Sequence, residues 1–147
     1  VTNEVIEAIK ILKNETPAKV RCVNVIDPMA LYSAAFNDYF TEDKQVIFNF
    51  HGYPESLMKI LFLDRKDTER FEIRGYIENG STTTPFDMHV RNRTSRWHLV
   101  LDALPKLVKE GVILQGSADT LIEKYQKKIE EHKKFIVENG VDMEEVR

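Results

Sequence analysis

Three times in this chain an apolar stretch runs into an X-Pro pair: at Asp27-Pro28, Tyr53-Pro54 and Thr84-Pro85. Proline suits the first turn of a helix, where its missing N–H would be unpaired anyway. Each pair therefore reads as a strand or loop handing over to a helix. The clearest case is Val46-Ile47-Phe48-Asn49-Phe50-His51-Gly52-Tyr53-Pro54. Its apolar run is rich in β-branched and aromatic residues, as in a strand covered on both faces. Gly52 allows a sharp turn before Pro54. Repeated strand–helix alternation with short connections predicts an α/β domain: an open, mostly parallel sheet with helices on both faces.

In chain order, Asn3 to Asn14 is a predicted amphipathic helix, with Val5, Ile6, Ile9 and Leu12 on one side. Thr16-Pro17 ends it. Val20 to Ile26 is predicted as a first strand, with Cys22 as a buried thiol inside it. Asp27 caps a second helix that runs to about Phe40, with Leu31, Ala34, Ala35 and Tyr39 inward. A third helix covers Pro54 to about Phe62, then a charged, exposed stretch from Leu63 to Glu69. Phe71 to Tyr76 alternates as a strand with one wet side. Thr84-Pro85-Phe86-Asp87 matches a capping box. Ser95 starts a helix that Pro105 is expected to kink or split. After a loop bracketed by Gly111 and Gly116, Ser117 is a candidate cap for a long last helix, with Tyr125, Ile129, His132 and Ile136 on one face. Gly140 is its expected stop. Three strands are few for such a sheet. The opening at Val1, without an initiator Met, fits a piece cut from a longer polypeptide and equally fits processing.

The 147 residues suffice for one domain with its own core. A net charge of −3 gives no electrostatic case for nucleic acid or an anionic membrane. No apolar run approaches the roughly 20 residues that span a bilayer, so no membrane partner is expected. A single cysteine excludes an intrachain disulfide and suits a reducing compartment, which points to the cytoplasm.

Autonomous catalysis finds little support. The four histidines have no metal-ligand spacing, and no phosphate-loop, dinucleotide or nucleophile-elbow motif is present. Two segments are richer in polar groups than a fold requires. His51, Gly52 and Tyr53 stand at the carboxyl end of the central strand, where open α/β sheets bind ligands. His51 could serve as an acid or base there, or it and Tyr53 could bond a neighbouring loop or partner domain. The second segment is Gly80 to Pro85. Thr82, Thr83 and Thr84 at a helix start, with Arg74 nearby in sequence, could hold a phosphate or carboxylate. Plain helix capping explains the same residues. Arg91, Arg93 and Arg96 around Trp97 could grip an acidic partner or be a solvated face.

These segments resemble the C-terminal domain of phosphoketolase, a thiamine-diphosphate enzyme related to transketolase. The resemblance is carried by Val20 to Asp27, by Phe48-Asn49-Phe50-His51-Gly52-Tyr53-Pro54, by Arg74-Gly75-Tyr76-Ile77-Glu78-Asn79-Gly80 and by Thr82-Thr83-Thr84-Pro85-Phe86-Asp87-Met88. Asn92, Arg96-Trp97-His98-Leu99 and Glu138 to Met143 complete it. It covers nearly the whole chain, with a shorter segment before Thr41 and a different Arg91–Ser95 loop.

The resemblance implies a single domain over residues 1–147, C-terminal in a longer chain, with a fold like the transketolase C-terminal domain. It implies a mainly parallel sheet of about five strands, with the strand that normally precedes the first helix absent here. The implied reaction cleaves xylulose 5-phosphate, often also fructose 6-phosphate, with inorganic phosphate to acetyl phosphate and an aldose phosphate. The family's thiamine diphosphate, Mg²⁺ and catalytic motifs lie in its two earlier domains. No catalytic, cofactor or metal residue is therefore implied in this chain. Its expected partners are the upstream catalytic domains, within a homo-oligomer. The alternative is a regulatory domain that senses an anionic metabolite through Thr82–Thr84, His51 and Arg74. A third reading is a free-standing interaction module using the Arg91–Trp97 surface.

Overall fold

The computed structural model describes residues 1–32, 36–79 and 82–147. Helix α1 spans Thr2–Glu15 and buries Ala8 and Leu12. Thr16 stops it by turning extended, its N–H and hydroxyl both donating to the Leu12 carbonyl at 2.9 and 2.6 Å. The chain then passes through a 3-10 turn, Pro28–Tyr32, and a short α2, Phe36–Tyr39. Strand β1 is Val46–Asn49, followed by α3, Pro54–Leu61. Strand β2, Phe71–Arg74, pairs in parallel with β1, Val46 opposite Phe71 and Asn49 opposite Arg74. Three helices close the chain: α4, Pro85–Arg91; α5, Arg96–Lys109; and α6, Gln115–Asn139.

Alternate β1 residues face different cores, as a pleated strand dictates. Ile47 packs on a helical core built from α1, α4, α5 and α6, centred on Trp97, Val100 and Leu104. Val46 and Phe48 pack with Leu57, Leu61 and Phe71 under α3. The sheet is thus flanked on both sides, as expected of an α/β domain. Arg70, almost fully buried, pins the turn before β1: its guanidinium donates to the carbonyls of Phe40, Thr41 and Lys44 and to Asp67.

Several expectations are corrected. Val20–Ile26 is not a strand. It belongs to no helix and has no ladder partner among the described residues, Ile26 lies 90% exposed, and a cavity of about 630 Å³ is lined by residues 20–25 and by β1. Apolar composition gives a strand only where a neighbouring edge accepts its N–H and C=O groups. The same lack of cover leaves Cys22 exposed. Where the second helix was expected, Pro28–Tyr32 is a 3-10 turn and α-helix is described at Phe36–Tyr39, with Tyr39 exposed rather than inward. Ala34 and Ala35, expected in it, lie outside the described residues. The sheet has two strands among the described residues, not about five. Pro105 neither splits nor ends α5, which runs unbroken through it. Ser117 does not cap α6, which begins two residues earlier. Gly140 does end α6, in the left-handed conformation (φ +67°) that an L side chain rarely adopts.

Candidate functional site

The polar residues of the two motif-rich segments meet at two places, the start of α4 and the carboxyl end of the sheet. At α4, Pro85 takes the first helical position, as its fixed φ favours. The predicted capping box does not form. Thr84 donates its hydroxyl to Asp142 Oδ1, and the Asp142 carboxylate itself caps the helix. It accepts from Phe86 N at 3.2 Å and Asp87 N at 3.3 Å. Among the described residues Asp87 does not take the Thr84 N–H, as the box would require. Its carboxylate takes the Thr83 hydroxyl at 2.6 Å and Arg91 Nε at 2.5 Å. A helix N-terminus carries partial positive charge and unpaired N–H groups. Here a carboxylate from the C-terminal tail already fills that place. Thr82 is exposed, and Gly80 and Ser81 of the predicted loop lie outside the described residues.

His132 of α6 lies beneath this cap. It is fully buried between the Phe86 and Trp97 rings, with Nε2 3.7 Å from Asp87 Oδ1 and 3.8 Å from Asp142 Oδ1. Neither ring nitrogen has a hydrogen-bond partner among the described residues. Burial pushes the imidazole below its usual pKa, against the pull of the two carboxylates. A histidine between two aspartates has the composition of an acid–base site. Its zero exposure under two aromatic rings leaves a substrate no approach.

At the sheet's carboxyl end, Gly52 and Gly75 bring two backbones together. Tyr76 N donates to Gly52 O at 2.8 Å, and a Cβ on Gly75 would stand 2.3 Å from that same oxygen. Only glycine fits such an approach. Tyr53 donates its hydroxyl to Glu78 at 2.7 Å, which raises the phenol's pKa, and His51 is exposed. Arg74 turns to α5, where it forms a two-point bond to Asp102, both contacts at 2.7 Å. The candidates His51, Gly52, Tyr53, Arg74, Thr82, Thr83 and Thr84 therefore serve different contacts. No hydrogen bond or ion pair among the described residues joins His51 or Arg74 to the α4 start.

The arginine cluster is divided in the same way. Arg91 is held by Asp87, and Arg96 forms a two-point pair with buried Glu4 at 2.7 and 3.0 Å, locking α5 to α1. Burial alone would raise the Glu4 carboxyl, but the Arg96 hydrogen bonds and charge hold it below the usual carboxylate value. Asp142, Glu4, Asp102 and Arg70 escape a sequence reading because their partners lie 26 to 92 residues away. The usable signal is a charged residue on an otherwise apolar helix face, as at Glu4, which shares the buried side of α1 with Ala8 and Leu12.

Tyr53, Arg74, Thr83, Thr84 and Asp87 thus end in contacts that build the domain, whereas His51 and Thr82 are exposed. The family model described as the XFP C-terminal domain matches residues 1–147. This chain belongs to that family. It is 39% identical over 156 aligned residues to a probable phosphoketolase of Pseudomonas putida, 38% identical to one of Rhodopirellula baltica and 36% to one of Brucella abortus. Each alignment covers 99% of this chain and 19% of the relative. The chain thus spans about a fifth of the length of these relatives, corresponding to their C-terminal part.

The thiamine diphosphate implied by the resemblance does not fit these residues. A diphosphate is held through a divalent ion with carboxylate or carbonyl ligands. Among the described residues no three His, Cys, Asp or Glu side chains converge to hold one. The hydroxyl-rich α4 start, the best remaining anion cradle, is filled by Asp142.

Proposed function

We propose that this chain is the non-catalytic C-terminal domain of a longer, thiamine-diphosphate-dependent phosphoketolase. That enzyme would be an aldehyde-lyase of carbohydrate metabolism, cleaving xylulose 5-phosphate or fructose 6-phosphate with phosphate to acetyl phosphate and an aldose phosphate. The cofactor, Mg²⁺ and the reacting groups belong to the upstream domains. This domain's part is positional: a rigid body that holds neighbouring active-site loops and the subunit interface in place. The enzyme works in the cytoplasm as a homo-oligomer. No helix among the described residues is long and apolar enough to cross a membrane.

The observation that carries this reading is the internal use of the motif side chains. Thr83, Thr84, Asp87, Asp142 and Arg74 bond to one another or to a half-buried partner, inside a chain matched end to end by the family. The metabolite-sensing alternative gains nothing from the geometry, because its anion site holds an internal carboxylate. The test is removal of this segment from the longer phosphoketolase. Loss of acetyl phosphate formation together with loss of oligomer or thermal stability is expected. A truncated enzyme with full activity and stability would contradict the role.

A further inference from the structure

The carboxyl end of the sheet carries apolar and aromatic side chains that the domain leaves exposed. Tyr53 is 48% exposed, Tyr76 37% and Ile77 46%. One exposed apolar residue is unremarkable. These three stand on a frame tied down at every position. Tyr53 and Tyr76 meet edge to face, ring centres 5.7 Å apart. Tyr76 N is bonded to Gly52 O, Ile77 N to Asn92 Oδ1 at 3.0 Å, and the Tyr53 hydroxyl to Glu78. Glu78 is held at φ +54°, a conformation costly for a residue with a Cβ. Backbone strain of that kind persists only where surrounding bonds enforce it. Fixed, exposed aromatic side chains are what binding surfaces present, since little ordering entropy is left to lose.

The start of the chain lies at the same end. Glu4, in the first turn of α1, pairs with Arg96 at the start of α5, and two residues before Arg96 the Thr94 carbonyl accepts from Asn49 Nδ2 at the end of β1, at 3.0 Å. Val1 also opens a groove lined by Thr84, Pro85, Phe86, His89 and Arg96. A segment that precedes Val1 therefore leaves α1 beside this edge. The matched relatives are about five times the chain's length. We infer that the carboxyl edge of the β1–β2 sheet is the surface on which the polypeptide preceding Val1 docks, with Tyr53, Tyr76 and Ile77 as its anchors. The inference rests on the reading of this chain as the C-terminal domain of a longer phosphoketolase.

The test uses the full-length protein with a photoreactive benzoylphenylalanine in place of Tyr76, an aromatic exchange that leaves the backbone frame intact. Illumination is expected to link position 76 to residues N-terminal to Val1 in the same polypeptide. A probe at Glu131, on the exposed face of α6, is the control. Links only to residues 1–147 of another copy, or none above the control, would overturn the inference. A second measurement uses Tyr76→Ser in the full-length protein. Loss of an anchor is expected to speed proteolytic cutting at the junction before Val1 by roughly tenfold, the equivalent of about 1.4 kcal/mol. An unchanged cutting rate would count against the anchor. Acetyl phosphate formation by the unmodified full-length protein separates the two ideas. If it is absent, the phosphoketolase reading fails; if it is present without upstream links, only the docking surface fails.

Discussion

Replacing Asp142 with alanine removes the cap of α4 from 58 residues away in sequence. Two N–H groups at the helix start, on Phe86 and Asp87, lose their acceptor, and so does the Thr84 hydroxyl. An N-terminal cap is worth about 0.5–2 kcal/mol, and an unpaired buried hydroxyl costs about another 1 kcal/mol or more. The N–H contacts are long, at 3.2 and 3.3 Å, which places them at the weak end. The change also removes one of two carboxylates crowded around His132, an offsetting gain. The net expectation for Asp142→Ala is a loss of about 1–2 kcal/mol, or roughly 3–7 °C in melting temperature for a domain of this size. Asp142→Asn keeps an acceptor oxygen and gives up the charge–dipole part, so it should cost about 1 kcal/mol or less. Chemical denaturation of both variants beside the parent chain measures this directly. An alanine variant within about 0.5 kcal/mol of the parent would refute the capping role, and so would an asparagine variant as damaged as the alanine one.

Other perturbations have equally definite outcomes. Gly75→Ala sets a methyl against the Gly52 carbonyl, where neither backbone can yield, and should cost about 2–3 kcal/mol in a denaturation midpoint; a neutral effect would mean the approach is looser than described. Glu4, held below its ordinary carboxyl value by Arg96, contributes stability that is fully present above about pH 4.5 and is lost as pH falls through its folded pKa. Glu4→Gln should therefore destabilise the chain at pH 7 and flatten that acid loss, and a parallel pH profile would contradict it. Exposed Cys22 should react with a thiol reagent in the native state as fast as in denaturant; strong protection would show that the Val20–Ile26 stretch is covered after all.

How far the sequence foretold the molecule depended on how far apart the interacting residues lie. The amphipathic helices α1, α5 and α6 were legible because their apolar spacing repeats over several turns, and α6 even declared His132 as inward-facing. Strand β1 was legible from Val46-Ile47-Phe48, and its two-sided burial from the lack of alternation. Val20–Ile26 carries the same composition and is no strand. Nothing local reports whether an edge is within reach. At α4 the X-Pro start was readable, but the cap came from Asp142 instead of the Thr84 hydroxyl, a choice decided by how the C-terminal tail folds back over α6. The candidate residues divide along the same line. Gly52 announced its turn, whereas Arg74 was read beside the threonines and belongs to Asp102 on α5. The family resemblance is what suggested a longer enzyme around this chain; the periodicity and capping patterns could not.

Acetyl phosphate release from xylulose 5-phosphate and phosphate, with thiamine diphosphate and Mg²⁺ supplied, separates a supporting domain from a catalyst most directly. It should be measured on the 147-residue chain and on the longer phosphoketolase side by side. Turnover by the longer protein and none by the short chain is expected. Cofactor-dependent turnover by the short chain alone would contradict the view that its polar residues are occupied in holding the domain together.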